Sequence, residues 1–415
     1  MTTKPFRILL LEKVMPYPPA TAGDAVYSRG MIEALAAHAA VTVLCADSGS
    51  GHQGHAQVEW HITKPERTGR KGSVLSRWPL IAWKGAQPDY HDRLDKLLKR
   101  QWDAIVVDNI GTAHAMPKLL AYRRLNPRCA LVHFSHEHEY NARSKKYGAY
   151  RMGIVERLAS RWDLLKIQRV EDMLVRSTDL VTVLNTDDEK LYRDVAPKQR
   201  YLMQTPGYDG TIAAPRKIDA STPRRLLLLG GRRSAQKQQV LLDWLEAGHA
   251  ALSEAGIETQ VLGDMPDSLR ETLVRDYPDL TVLGFVEDPT SLIAQARAGL
   301  IVDTLGGGFK LRLLSHVFNR LPIIGLEDAI EGLPVEAAKG YLAAKDHAAL
   351  ARLVVQTIDD FPRLNAIMNA AFDACDGKFS WDSRAIRLIA ALGGKPVATP
   401  PEGWLVMHES ERNMG

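Results

Sequence analysis

The sequence predicts an α/β fold in two domains. Short apolar runs with strand character alternate with helical patterns, and this alternation starts afresh after a turn-rich segment near the middle. The length of 415 residues also suits two or three domains. In the first series, Arg7 to Leu11, Ala40 to Cys45, Asp103 to Val107 and Ala130 to Phe134 read as strands, and Tyr27 to His38 reads as a helix. The pattern from Arg151 to Arg176 is helical. Asp179 to Leu184 returns to strand before the helix-start signal Asn185-Thr186-Asp187-Asp188-Glu189. Thr205 to Pro223 is rich in Gly, Pro, Thr and Ala and reads as a connection. The second series has strands at Arg225 to Leu229, Thr259 to Leu262, Leu280 to Leu283, Gly299 to Val302 and Pro322 to Ile324. The expected organisation is a first domain over 1–207, a linker over 208–223, a second domain over 224–392 and a tail over 393–415. Strand ends of two such domains can face a cleft between them.

Composition narrows the function classes. Hydrophobic residues at 45% supply large cores, and a net charge of +4 does not point to nucleic acid. Cys45, Cys129 and Cys375 are far apart and match no zinc spacing, so a reduced cytoplasmic protein is expected. The N-terminal apolar run is short and broken by Glu12 and Lys13, which suits a buried strand better than a signal sequence. No apolar run is long enough to span a bilayer.

The most informative run is Gly306-Gly307-Gly308-Phe309-Lys310, placed between the strand-like Ala298 to Val302 and the helical Leu311 to Phe318. Glycines let backbone N–H groups approach an anion, a helix N-terminus adds a positive dipole, and Lys310 supplies a full charge. The plain alternative is an ordinary glycine-rich turn from strand to helix. A second basic turn, Gly231-Arg232-Arg233 with Lys237, follows the first strand of the second series. It reads either as an anion site or as a solvated turn.

Several segments, in order, resemble the GT-B glycosyltransferases, specifically the retaining family-four-like branch common in bacterial polysaccharide synthesis. Pro16-Tyr17-Pro18-Pro19 with Gly23, Asp24 and Arg29 is similar to that family's first loop. His136-Glu137-His138-Glu139 resembles its His-Asn-x-Glu segment, and Arg169-Val170-Glu171 with Asp179 resembles the end of its N-domain. Gly284-Phe285-Val286-Glu287-Asp288, Glu331-Gly332-Leu333 and Ser380-Trp381-Asp382 match further elements. The resemblance covers most of residues 6 to 390. It implies two Rossmann-like domains facing an interdomain cleft, with the acceptor on the first and a nucleoside-diphosphate sugar on the second. It also implies transfer with retention to a saccharide or lipid-linked acceptor, without metal or other cofactor, the nucleotide sugar being a co-substrate.

Carried over by position, the donor-binding residues are Gly23, Asp24, Gly231, Arg232, Lys237, Gly306, Gly307, Gly308, Phe309, Lys310 and Ser315. His136, Glu139 and Lys310 are the candidate catalytic residues. One departure stands out. Many members carry a Glu-x7-Glu pair at positions that here are Gly307 and Ser315, neither of them acidic. Ser315 can still exchange a hydrogen bond, but it is shorter and uncharged. A non-catalytic relative that binds sugar or a partner, a nucleotide-sugar epimerase and a metal hydrolase are the alternatives.

The histidines have more than one reading. At strand spacing His136 and His138 point the same way and could ligate a metal, line the acceptor or donor site, or serve structure. Glu139 either orients an acceptor or caps a helix beginning at Asn141. Finally, Lys64, Arg67, Arg70, Lys71, Arg77 and Lys84 are interleaved with Trp78, Leu80, Ile81 and Trp83. That mixture suits peripheral contact with an anionic membrane at the inner face, or a solvated loop leading to core-packed tryptophans.

Overall fold

The computed structural model describes residues 5–18, 23–49, 51–148, 152–304, 311–330 and 332–394. The glycine-rich run 306–310, Glu331 and the expected tail from 395 lie outside them. The chain divides into two compact units, one holding residues up to Gly207 together with those from Ser380 on, the other holding Tyr208–Phe379.

In the first unit seven strands form one parallel sheet: β1 (Arg7–Val14), β2 (Ala40–Ala46), β3 (Glu59–Thr63), β4 (Ala104–Asp108), β5 (Ala130–Phe134), β6 (Leu180–Val183) and β7 (Tyr201–Met203). Their order is β3-β2-β1-β4-β5-β6-β7. β1 pairs with β2 on one side and β4 on the other, Leu9 lying opposite both Thr42 and Ile105. Helices cover both faces of such a sheet, so central strands are apolar throughout; Ile8, Leu9, Leu10 and Leu11 are all buried. Leu9, Leu11, Ile105 and Val107 share one core with Leu119 and Leu174.

The second unit repeats the design with β8 (Arg225–Leu229), β9 (Glu258–Leu262), β10 (Leu280–Gly284), β11 (Ala298–Ile301), β12 (Ile323–Leu326) and β13 (Leu342–Ala344). Its order is β10-β9-β8-β11-β12-β13, all pairs parallel. Each sheet reverses its strand order once, between β1 and β4 and between β8 and β11. Those reversals, at the C-terminal strand ends, are where open α/β sheets bind ligands.

Two boundaries differ from expectation. The segment expected as a free linker is tied to the second unit: Ile218 is fully buried and exchanges hydrogen bonds with the Asn365 amide at 2.9 and 2.8 Å. Arg216 also donates to the Ile293 carbonyl at 2.6 Å. The helix Trp381–Ala391, expected in the second domain, instead packs in the first unit against the helix Gly23–Ala36. Trp381 is the anchor, its ring 5.5 Å from that of Tyr27.

Candidate functional site

In the second unit the β8/β11 reversal holds a small pocket, lined among others by Gly230, Gly231, Arg232, Lys237, Asp303 and Arg312. Glycine makes its floor possible. Gly230 has φ of 129° and Gly263 of 133°, and a Cβ on Gly263 would stand 2.2 Å from the Gly230 carbonyl oxygen. The two strand ends therefore lie backbone on backbone, with the Gly230 N–H donating to Leu262 at 2.9 Å and Arg232 N–H to Asp264 at 2.6 Å. Ser234 then caps the 20-residue helix Ala235–Glu254, and Lys237 sits in its first turn. Helix N-terminus and lysine together favour an anion.

Arg232 is placed differently from the expectation that its guanidinium would face phosphates. It is buried, and the guanidinium donates to the main-chain carbonyls of Gly230, Leu262 and Leu228 at 2.5, 3.2 and 3.3 Å. It thus shapes the loop and adds charge to the pocket wall. Burial, then the neighbouring Arg312, pull its pKa down to about 10 against the opposing pull of Asp303. Arg312 forms an ion pair with Asp303 on the other wall. Three cations and one acid leave an excess of positive charge that an added anion would relieve. Arg312 and Asp303 were missed in the sequence; the available signal was an arginine two positions beyond Lys310.

In the first unit a buried network occupies the β1/β4 reversal. Asp108, the last residue of β4, is fully buried, with Oδ1 hydrogen-bonded to His136 Nε2 and Oδ2 accepting from Ser28 Oγ at 2.6 Å. Burial works against charge on His136, but the Asp108 carboxylate outweighs it and holds the imidazole above its ordinary pKa. Glu12, near the end of β1, is pushed well up by burial and then by the Asp108 charge. In series stand an acid whose ionisation is disfavoured, a carboxylate, and an imidazole whose charge that carboxylate favours. Among the described residues the buried Nδ1 of His136 has no hydrogen-bond partner. Gly23 opens the helix Gly23–Ala36, and Asp24 in its first turn adds negative charge that acts on His136.

His136 and His138 do not share a face. β5 ends at Phe134, so the two-residue alternation stops before them. His136 turns to Asp108, whereas His138 stacks on Tyr192 with ring centroids 4.9 Å apart and lies 3.7 Å from Glu171. His133 serves structure, its Nδ1 bonded to the Val107 carbonyl at 3.1 Å. Glu139 does not cap a helix starting at Asn141, because the helix begins at Glu139 itself. The cap comes from Glu171, whose two carboxylate oxygens accept from the N–H groups of Glu139 and Tyr140 at 2.7 and 3.0 Å. The Glu139 carboxylate accepts instead from Arg143 Nε at 2.6 Å. Among the described residues no three His, Cys, Asp or Glu side chains are grouped to hold a metal ion.

Ser315 lies half-buried in the helix Leu311–Phe318, its Oγ 3.4 Å from the Asn319 amide. Gly306, Gly307, Gly308, Phe309 and Lys310 lie outside the described residues.

Two parallel sheets of this topology, each with a site at its reversal, have the fold of the GT-B glycosyltransferases. The chain is similar in structure to sucrose-phosphate synthase from Thermosynechococcus elongatus, with a TM-score of 0.66 and 16% identity over 93% of this chain and 98% of that one. HepE from Anabaena, solved with UDP, gives 0.62 at 14% identity over 94% and 100% of the two chains. WaaG, described as a glycosyltransferase of lipopolysaccharide biosynthesis, gives 0.62 at 15% over 93% and 100%. No family model matches the sequence, and no curated relative matches it.

Proposed function

We propose that this chain transfers a sugar from a nucleoside diphosphate to a saccharide or lipid-linked acceptor in cell-surface polysaccharide or glycolipid synthesis. The observation that carries the reading is the glycine-floored, cationic pocket at the β8/β11 reversal. Its Lys237 and Arg312 suit a diphosphate, with Arg232 supplying charge from beneath; Lys310 and Gly306 to Gly308 are proposed to complete the phosphate contacts. Sharing of the fold with HepE, whose structure contains UDP, and with WaaG supports the same reading.

The chemistry asks for stabilisation of a leaving diphosphate and of an oxocarbenium-like sugar, with an acceptor hydroxyl placed beside it. Cations serve the first need. With retention, the acceptor oxygen forms its bond to the anomeric carbon on the face from which the phosphate leaves, and the departing phosphate oxygen takes the acceptor's proton. His136, charged and fixed by Asp108, is suited to hold a sugar or acceptor hydroxyl through Nδ1. The Glu139 carboxylate, tied to Arg143, is proposed to support that segment. Gly23 and Asp24 are proposed to approach the donor. No metal or other cofactor enters this scheme.

The test is a thermal-shift screen of the purified protein against UDP-, GDP-, ADP- and TDP-sugars, followed by a turnover assay on any hit. Ligand present at 100 times its Kd adds about 2.7 kcal/mol of apparent stability, a readily measured shift. Failure of every nucleotide sugar to raise the melting temperature would sink the proposal. Binding without turnover would favour the second reading, a non-catalytic binder, for which the uncharged Ser315 speaks.

A further inference from the structure

The helix Ile154–Ser177 carries an apolar face that no described residue covers. Ile154 and Val155 are 79% and 80% exposed, and Leu158, Trp162 and Leu165 more than half or half exposed. Ile154, Leu158, Trp162 and Leu165 follow helical spacing, so they make one stripe about 16 Å long. Beside it runs the short helix Lys71–Leu75, joined by Trp162 Nε1 donating to the Val74 carbonyl at 3.0 Å and Lys166 Nζ to that of Ser73 at 2.7 Å. Leu75, 95% exposed, extends the stripe. Single exposed leucines are ordinary, whereas a contiguous group marks an interaction surface.

Charge identifies the occupant. Arg70, Lys71, Arg77, Arg157 and Arg161 are exposed around the stripe, and none forms an ion pair with a described residue. The nearest acids are engaged or buried: Glu156 accepts from the Gly153 N–H, and Asp163 accepts from the Leu80 N–H. A two-fold pairing of this surface with a second copy would set these cations against their own equivalents. An anionic bilayer would instead receive the apolar stripe at its acyl boundary and the cations at its headgroups.

We infer that the face formed by the first half of the helix Ile154–Ser177 and the helix Lys71–Leu75 docks onto an anionic lipid surface. The inference stands apart from sugar transfer and does not depend on it. It also narrows the membrane contact expected over Lys64 to Lys84 to residues 70–77 and joins it to the helix Ile154–Ser177. Trp78 and Ile81 pack against the core, and Arg67 covers Trp83 at 5.3 Å, so those aromatics face inward.

The test is co-sedimentation of the full chain with vesicles of phosphatidylcholine alone or mixed with phosphatidylglycerol. Binding is expected only to the mixed vesicles and to weaken as salt rises. Leu158→Asp with Leu165→Asp, and separately Arg70→Gln with Lys71→Gln and Arg77→Gln, should each lower the partition coefficient about tenfold or more. Because these side chains are exposed, melting temperatures should hold. The inference is overturned by no binding to mixed vesicles, by binding that both variants leave unchanged, or by a stable dimer in light scattering that Leu158→Asp splits.

Discussion

His136 and Asp108 meet across the ends of β5 and β4 as a largely buried imidazole and a fully buried carboxylate, each favouring the other's charged form. Burial opposes ionisation of both, but their mutual attraction raises the pKa of His136 and lowers that of Asp108. The stability that His136 contributes is therefore complete below its ordinary value near 6.5 and is lost as pH rises through its raised folded value. The contribution of Asp108 is present above 3.8 and is lost as pH falls through its lowered value.

Asp108→Asn should destabilise the first unit by about 3 to 5 kcal/mol at pH 6, since it leaves a buried charge unpaired. It should also lower the His136 pKa, burial then being opposed by the more distant charges of Asp24 and Glu139. Imidazole NMR titration and urea unfolding read the two effects. A His136 pKa that does not fall in the variant would remove the pairing from the account.

Glu171 has a pH dependence of the same sign as His136 and opposite to Asp108. Burial first, against the hydrogen bonds from Tyr192 and two main-chain N–H groups, pushes its carboxyl up to about 8. A raised acid stabilises fully below its unfolded value and loses that contribution as pH rises through the folded one. Wild-type stability should fall between pH 5 and 9 by up to about 5 kcal/mol from this group. Glu171→Gln should flatten that slope. Melting curves across the range, wild type against variant, are the check; parallel slopes would refute it.

Gly263→Ala should damage the β8/β11 pocket without touching any charged group. The methyl would collide with the Gly230 carbonyl at a backbone angle that L-residues avoid. A loss of about 3 kcal/mol or more in unfolding free energy is expected, together with loss of any nucleotide-sugar thermal shift. Gly231→Ala, whose Cβ meets only the Asp264 carbonyl oxygen at 3.7 Å, is the mild control.

Arg312→Ala should weaken nucleoside-diphosphate binding by about 1.5 to 3 kcal/mol, the range for a hydrogen bond to a charged group. It removes a cation and also leaves the Asp303 carboxylate without that partner in the pocket. Arg312→Lys should recover part of the loss, because charge survives while the fork geometry does not. Isothermal titration with UDP measures both, and equal affinities in wild type and Arg312→Ala would exclude Arg312 from the site.

The fold was legible where strands are buried on both faces, since β1, β4 and β8 are continuous apolar runs. The edge strands β3, β7 and β13 were not: β7 and β13 span only three residues and β3 is half polar, whereas the edge strand β10 carries enough apolar residues to be read. Of the candidate site, Gly230, Gly231 and Lys237 could be read because a glycine turn before a helix has a local signature. The inward turn of Arg232 could not, as it depends on carbonyls from two strands. Asp108 and His136 stand 28 residues apart and meet only through the β4/β5 register, Asp108 opposite Phe134. The stripe on the helix Ile154–Ser177 has no signature in the sequence beyond helical spacing, because exposure is decided by what packs on it.

The helix after Ser380 shows how sequence continuity misleads about packing. Trp381 sits where two glycines leave room: a Cβ on Gly30 or on Gly207 would stand 2.3 or 2.4 Å from its ring. Arg384, three residues on, is buried and donates to the Thr205 carbonyl at 3.0 Å, while its own carbonyl accepts from Gln204 at 2.9 Å. The last turn of the chain's first unit is thus built from residues about 180 positions downstream. Trp381→Ala should cost about 3 to 5 kcal/mol, the usual range for deleting a large buried aromatic. The loss belongs to the first unit, so amide exchange should accelerate in the helix Gly23–Ala36 and β7 while β8 to β13 keep their protection. Gly30→Leu should reproduce the pattern by displacing the ring. Uniform acceleration across both units in Trp381→Ala would instead mean that the two unfold as one.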